Sequence, residues 1–147
     1  MKIRHIALCL SILIALCAPA AAEEKIFGTL YKNPGCTCCD KHAAYLEEHG
    51  FEVTVVPSPD LQSIRKKLGV PKAVEGCHVM VVDGYLVEGH VPYTPIKRML
   101  TEKPKIMGIA LPGMPTGSPG MDGTKEGPFE ILAITADGEP AQVYAVE

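Results

Sequence analysis

Tryptophan is absent from this 147-residue chain, and phenylalanine occurs only three times. A platform on which sugar rings or bases stack is therefore not expected. There is no run of basic residues and no stripe of interleaved basic and aromatic side chains. With a formal net charge of −3, the chain does not fit a nucleic-acid partner. After the N-terminal segment no apolar stretch is long enough to cross a membrane. A second Cys-x-x-Cys pair, the usual companion in a structural zinc site, is also missing.

The N-terminus has the pattern of a secretory signal. Lys2 and Arg4 give a positive start, and Ile6 to Ala18 is an apolar run of thirteen residues. Ala20-Ala21-Ala22 then offers the small residues that a signal peptidase accepts, so cleavage is expected after Ala22. A lipoprotein reading of Cys17 fails because Leu16 stands where a small residue is needed. Residues 23–147 are expected to form one domain, without a membrane span once the signal is gone. Without Lys2 and Arg4 there are 12 basic and 17 acidic residues, a net charge of −5.

Cleavage removes Cys9 and Cys17 and leaves Cys36, Cys38, Cys39 and Cys77. Three of these crowd into "NPGCTCCDKH", residues 33–42. In an oxidising compartment they can pair as Cys36–Cys39 and Cys38–Cys77, giving two structural disulfides. The other reading is a cluster of thiolates, and local structure gives it a physical basis.

"KIFGTLY", Lys25 to Tyr31, reads as a strand stopped by Asn33-Pro34-Gly35. A helix is expected from Cys39 to Glu48, with Ala43, Ala44 and Leu46 as a weak apolar stripe. Phe51 to Pro57 alternates as a second strand. Asp60 can cap a helix carrying Leu61, Ile64 and Leu68 and ended by Gly69. His78–Val82 and Tyr85–Glu88 form a hairpin around Asp83-Gly84. A short helix near Thr94–Thr101 places Ile96, Met99 and Leu100 on one side. Lys103 to Pro128 holds five of the 13 prolines and six of the 14 glycines, and reads as one long loop. Phe129–Thr135 and Gln142–Val146 suggest a closing hairpin around Asp137-Gly138. The order β-α-β-α-β-β-α predicts an α/β, thioredoxin-like mixed sheet with flanking helices.

A strand-turn-helix junction offers free backbone N–H groups and the positive end of a helix dipole. Both favour thiolate over thiol at Cys36, Cys38 and Cys39. Zinc wants four tetrahedral ligands, usually as two spaced pairs, and iron–sulfur clusters also space their cysteines more widely. Crowded thiolates suit several Cu(I) ions sharing sulfurs. Cys77, at the start of the predicted central strand, can close the site from the other side. Weaker candidate ligands are His42, one helical turn after Cys39, and His78 and His90; for each, a surface or capping role is the simpler expectation. On a strand, His78 should point away from Cys77. His49 reads as a partner of the helix C-terminus. Met114 and Met121, in the matching contexts "PGMPTG" and "PGMDG", are either soft thioether ligands or plugs beneath the loop. Met80 and Met99 fall on core patterns.

"YKNPGCTCC", "GCHVMVVDGYLVEGHVP" and "GIALPGMPTGSPGM" together resemble the three signature blocks of a family of small secreted bacterial Cys-x-Cys-Cys proteins. That family is a domain of unknown function associated with metal binding and CopG-type copper resistance. The resemblance runs from about Tyr31 to the C-terminal hairpin. It implies a thioredoxin-like fold, a periplasmic location, and a copper-thiolate role for Cys36, Cys38, Cys39 and Cys77. Where the family commonly carries Thr after its Cys-His pair, Val79 stands here.

Two functions follow. One is a periplasmic protein that holds Cu(I), several ions together, for copper resistance or homeostasis. It would exchange copper with other envelope copper-handling proteins, and interconversion of Cu(I) and Cu(II) is compatible with it. The other is a thiol–disulfide oxidoreductase with Cys36 attacking and Cys39 resolving. Cys38 between them invites wrong bridges, and "GCHVM" lacks the proline that faces a thioredoxin-type pair.

Overall fold

The computed structural model describes residues 24–136 and 142–147. The expected signal segment and the Asp137-Gly138 turn lie outside the described residues. A seven-stranded mixed sheet carries three α-helices, in chain order β1 (Ile26–Lys32), α1 (Thr37–Glu48), β2 (Phe51–Pro57), α2 (Leu61–Leu68), β3 (His78–Val82), β4 (Tyr85–Gly89), α3 (Tyr93–Glu102), β5 (Gly108–Leu111), β6 (Glu130–Ile134) and β7 (Val143–Val146). A single 3-10 turn, Lys72–Val74, precedes β3. The strand order is β2-β1-β3-β4-β5-β6-β7.

β1 lies parallel to β2 and antiparallel to β3, so both its edges are paired and its C-terminal end lies between neighbours. Lys32 pairs with His78 in that register, which brings the end of β1 beside the start of β3. This pairing sets the cysteine turn opposite Cys77. The β3–β4 hairpin turns at Asp83 and Gly84, both with positive φ, as a two-residue turn requires.

Alternation along the strands divides the core in two. Met80 and Val87 face a larger cluster with Leu46 of α1 and Ile96 and Met99 of α3. Val79 and Leu86 face a smaller one with Leu61 and Val74 on the other side. Asp60 caps α2 by accepting from Ser63 N at 3.1 Å, a contact worth about 1 kcal/mol. Gly69 ends that helix in the left-handed region.

Three expectations need correction. α1 begins at Thr37, so Cys38 and Cys39 lie in its first turn and Cys36 is its N-cap. Its buried face is Cys39, His42, Ala43 and Leu46; Ala44 is exposed. The stretch expected as one loop is interrupted by β5, which runs parallel to β4 and is buried throughout. "GIAL" is four apolar residues between Gly- and Pro-rich flanks, and that density hid a strand whose partner is supplied by the α3 crossover. The closing hairpin is present as β6 and β7.

Candidate metal centre

The end of β1 aims Lys32 inward, where it is only 5% exposed. Its Nζ donates to Cys36 O at 3.0 Å and to Asp40 Oδ2 at 2.7 Å. One buried ammonium thus holds both the N-cap and the first turn of α1. On the opposite side, Gly76 is gripped at both polar groups. Its N–H donates to Glu88 Oε1 at 2.7 Å, and its carbonyl accepts from Arg65 Nη2 at 2.8 Å. Arg65 and Glu88 form a buried ion pair at 2.6 Å. Burial pushes the Glu88 carboxyl up, while Arg65 opposes the shift. The two clamps fix the backbone on either side of the sulfurs.

Between them all four cysteine sulfurs lie within 4.8 Å of one another. Cys36 and Cys39 are joined in a disulfide with an S–S distance of 2.01 Å. Cys38 and Cys77 are free and half-buried. Cys77 Sγ is 3.5 Å from Cys39 Sγ and 3.9 Å from Cys38 Sγ. Burial, reinforced by Cys38, pushes the Cys77 thiol up to about 12. Cys77 therefore keeps its proton at neutral pH until something replaces it, as a soft metal ion does.

Three histidines complete the centre, contrary to the surface or capping roles expected for them. His42, His78 and His90 are all fully buried. Their rings touch mutually, with centroids 4.8, 5.1 and 4.9 Å apart. His90 Nε2 is 2.8 Å from Cys77 Sγ. His78 Nδ1 approaches the same sulfur at 3.4 Å, so His78 does not point away from Cys77. Cys77 precedes β3 and is not bound by strand alternation, which is why that expectation failed. Burial lowers the pKa of all three, His42 to about 4, so the rings are neutral at neutral pH.

Neutrality allows the ring protons to be assigned. A carbonyl oxygen only accepts. His90 Nδ1 therefore donates to Pro119 O at 2.7 Å, leaving Nε2 bare toward Cys77. His42 Nε2 donates to Val91 O at 2.9 Å, leaving its Nδ1 bare. His78 Nε2, 2.9 Å from that Nδ1, must donate to it, and His78 Nδ1 is then bare. Two unprotonated nitrogens thus converge on Cys77, whose single S–H satisfies only the nearer. A buried lone pair is left over, and a soft or borderline cation fits it.

The Pro/Gly loop lies against this centre. Pro119 O receives His90, and Lys41 pairs with Asp122 at 2.8 Å. Gly120, with φ +83°, sits so close that an added Cβ would be 2.6 Å from His42 N and 2.8 Å from Cys38 O. Met121 follows it and is half-buried, whereas Met114 is 42% exposed. His49 Nδ1 donates to Tyr45 O at 2.7 Å, a role at the end of α1 as expected.

Lys32, Arg65 and Glu88 were missed by the sequence reading. Arg65 lies four residues after Leu61 on the apolar face of α2, and Glu88 interrupts an apolar strand. A charge on each of two core faces was the available signal.

Two solved structures, of "Copper resistance protein copG" in forms 1 and 2, are each 37% identical to this chain with a TM-score of 0.77. Each covers 84% of this chain, and the chain covers 98% and 99% of theirs. The chain belongs to the CopG-type copper-resistance family. The family described as "Protein of unknown function, DUF411" matches residues 74–121, the stretch that holds Cys77, His78, His90 and the loop up to Met121. No curated protein matches the chain. Within the CopG-type family, the geometry here offers two overlapping donor sets: four sulfurs, and Cys77 with His78 and His90.

Proposed function

We propose that this protein is a periplasmic copper-binding protein that holds Cu(I), several ions together, for copper resistance or homeostasis. The observation that carries the reading is the convergence of four sulfurs and two bare imidazole nitrogens on one small volume, with Cys77 common to both sets. Sulfur suits Cu(I), a single thiolate can bridge two ions, and imidazole accepts either copper oxidation state. Copper is the cargo here. Cys36, Cys38, Cys39 and Cys77 are the proposed ligands, with His78 and His90 beside them. His42 has both ring nitrogens engaged, and Met114 is too exposed to share the centre. Met121 stays a candidate through its position next to Gly120.

With Cys36–Cys39 bridged, the available donors are Cys38, Cys77, His78 and His90. An external dithiol would release the other two sulfurs and raise the capacity. The strand order β2-β1-β3-β4, with the cysteines at the β1–α1 junction, supports the thioredoxin-like reading of the fold, and the partial exposure of Cys38 and Cys77 supports such exchange. The signal pattern of residues 1–22 supports the periplasm, where envelope copper-handling proteins would be the exchange partners.

The disulfide itself favours a second reading, a thiol–disulfide oxidoreductase using Cys36 and Cys39. One titration separates the two. Reduced protein, under anaerobic conditions, is titrated with Cu(I) against a competing chelator, and bound copper is counted. The copper reading expects more than one tightly held ion per chain, and loss of capacity in both Cys38→Ser and Cys77→Ser. No tight copper, with disulfide reductase activity that survives Cys38→Ser, would leave the oxidoreductase standing.

A further inference from the structure

His42 stands one turn along α1 from Cys39, on the same buried face. It is the only one of the three clustered histidines for which no contact with Cys77 accounts for its burial among the described residues. Instead it bridges two segments. Its Nε2 donates to Val91 O, in the residue after His90, and its Nδ1 faces His78 Nε2. An imidazole so placed has no lone pair left to give a metal. What it does have is a fixed direction: the Val91 carbonyl can only accept, so His42 Nδ1 can only accept from His78.

We infer that His42 is a positioning residue, which holds His78 in the Nε2–H form and turns its bare Nδ1 toward Cys77. Without His42, His78 Nε2–H loses its acceptor in a fully buried pocket. The ring then rotates to find another partner and Nδ1 no longer faces the sulfur. His90 has an independent anchor in Pro119 O and is expected to keep its orientation. The two nitrogen donors are thus held by different means, one by the loop and one by a residue of α1. The consequence for copper rests on the function proposed above, whereas the ring-proton assignment does not. Partners that orient a ligating histidine commonly change metal affinity by about 10- to 100-fold when lost.

The test has two arms on the mature chain, reduced and metal-free at the start. In the first, the ring nitrogens are read by 15N NMR. The expected result is protons on both His42 Nε2 and His78 Nε2, bare Nδ1 atoms, and a nitrogen–nitrogen coupling across the His78–His42 hydrogen bond. A proton on His78 Nδ1, or on His42 Nδ1, overturns the inference whether or not the protein binds copper. In the second arm, Cu(I) affinity is compared for His42→Leu and His42→Gln. Glutamine can accept from His78 and donate to Val91 O; leucine can do neither. Affinity about tenfold weaker in His42→Leu and restored in His42→Gln supports the inference. Equal loss in both, or a His42 resonance shifted by direct copper ligation, overturns it. If the unsubstituted protein takes up no copper, the copper function fails, and the NMR arm alone decides the role of His42.

Discussion

At the residue scale, the centre is an arrangement of neutral groups that would rather not carry charge. Cys77 keeps its proton because it is buried, and the three histidines refuse theirs for the same reason. This has a consequence for acid stability. The folded pKa of His42 is lowered from 6.5 to about 4 by desolvation. Folding therefore excludes a proton that the unfolded chain binds below pH 6.5. The contribution of a neutral His42 is full above that pH and is lost as the pH falls through about 4. That loss corresponds to about 3 kcal/mol for His42 alone. Metal-free protein is expected to unfold at lower urea concentration as the pH falls from 7 to 4. In His42→Gln the decline is expected to be shallower. Parallel pH profiles for the two proteins would remove the buried histidine as the cause.

At the scale of elements, the site is held by what lies behind it. β1 delivers Lys32 to the N-cap of α1, while α2 and β4 deliver Arg65 and Glu88 to Gly76. The Arg65–Glu88 pair is fully desolvated, and Glu88 Oε2 has no hydrogen-bond partner among the described residues. Arg65→Met would leave that carboxylate buried without its cation. The expected cost is about 3–5 kcal/mol in chemical denaturation. Adding Glu88→Leu is expected to recover most of it, because the remaining charge is then gone. A double variant no more stable than Arg65→Met would show that the Gly76 clamp, and not the unpaired charge, dominates.

The elements also show what was readable. The first three strands, the β3–β4 hairpin and all three helices follow from alternation, caps and turn residues that act within a few positions. β5 did not follow, because a four-residue strand between glycines and prolines is defined by its neighbour β4 and not by its own pattern. Likewise the four cysteines could be picked out as a set by type and spacing. The histidines could not be ranked, since His42 and His90 meet only after α1 and the end of β4 are packed together. One local sign was present: counting His42 into the α1 stripe gives Cys39, His42, Ala43 and Leu46, a full helical face. Arg65 and Glu88 each showed only as a charge on an apolar face, and packing of α2 on β4 is what makes them a buried pair.

At the scale of the whole molecule, the mixed sheet brings together three stretches far apart in the chain: the cysteine turn, the β3–β4 hairpin and the Pro/Gly loop. The loop reaches the centre twice, through Pro119 O and through Gly120 packed on the α1 backbone. Among the described residues no helix is long and apolar enough to cross a membrane. The proposed copper shell is built from these sulfurs with imidazole beside them. The most direct measurement is copper X-ray absorption of the reduced, Cu(I)-loaded protein, with Cys77→Ser and His90→Ala alongside. A shell dominated by sulfur is expected, with an imidazole contribution that shrinks in His90→Ala and sulfur scattering that falls in Cys77→Ser. A first shell of oxygen or nitrogen alone, unchanged in both variants, would contradict the account.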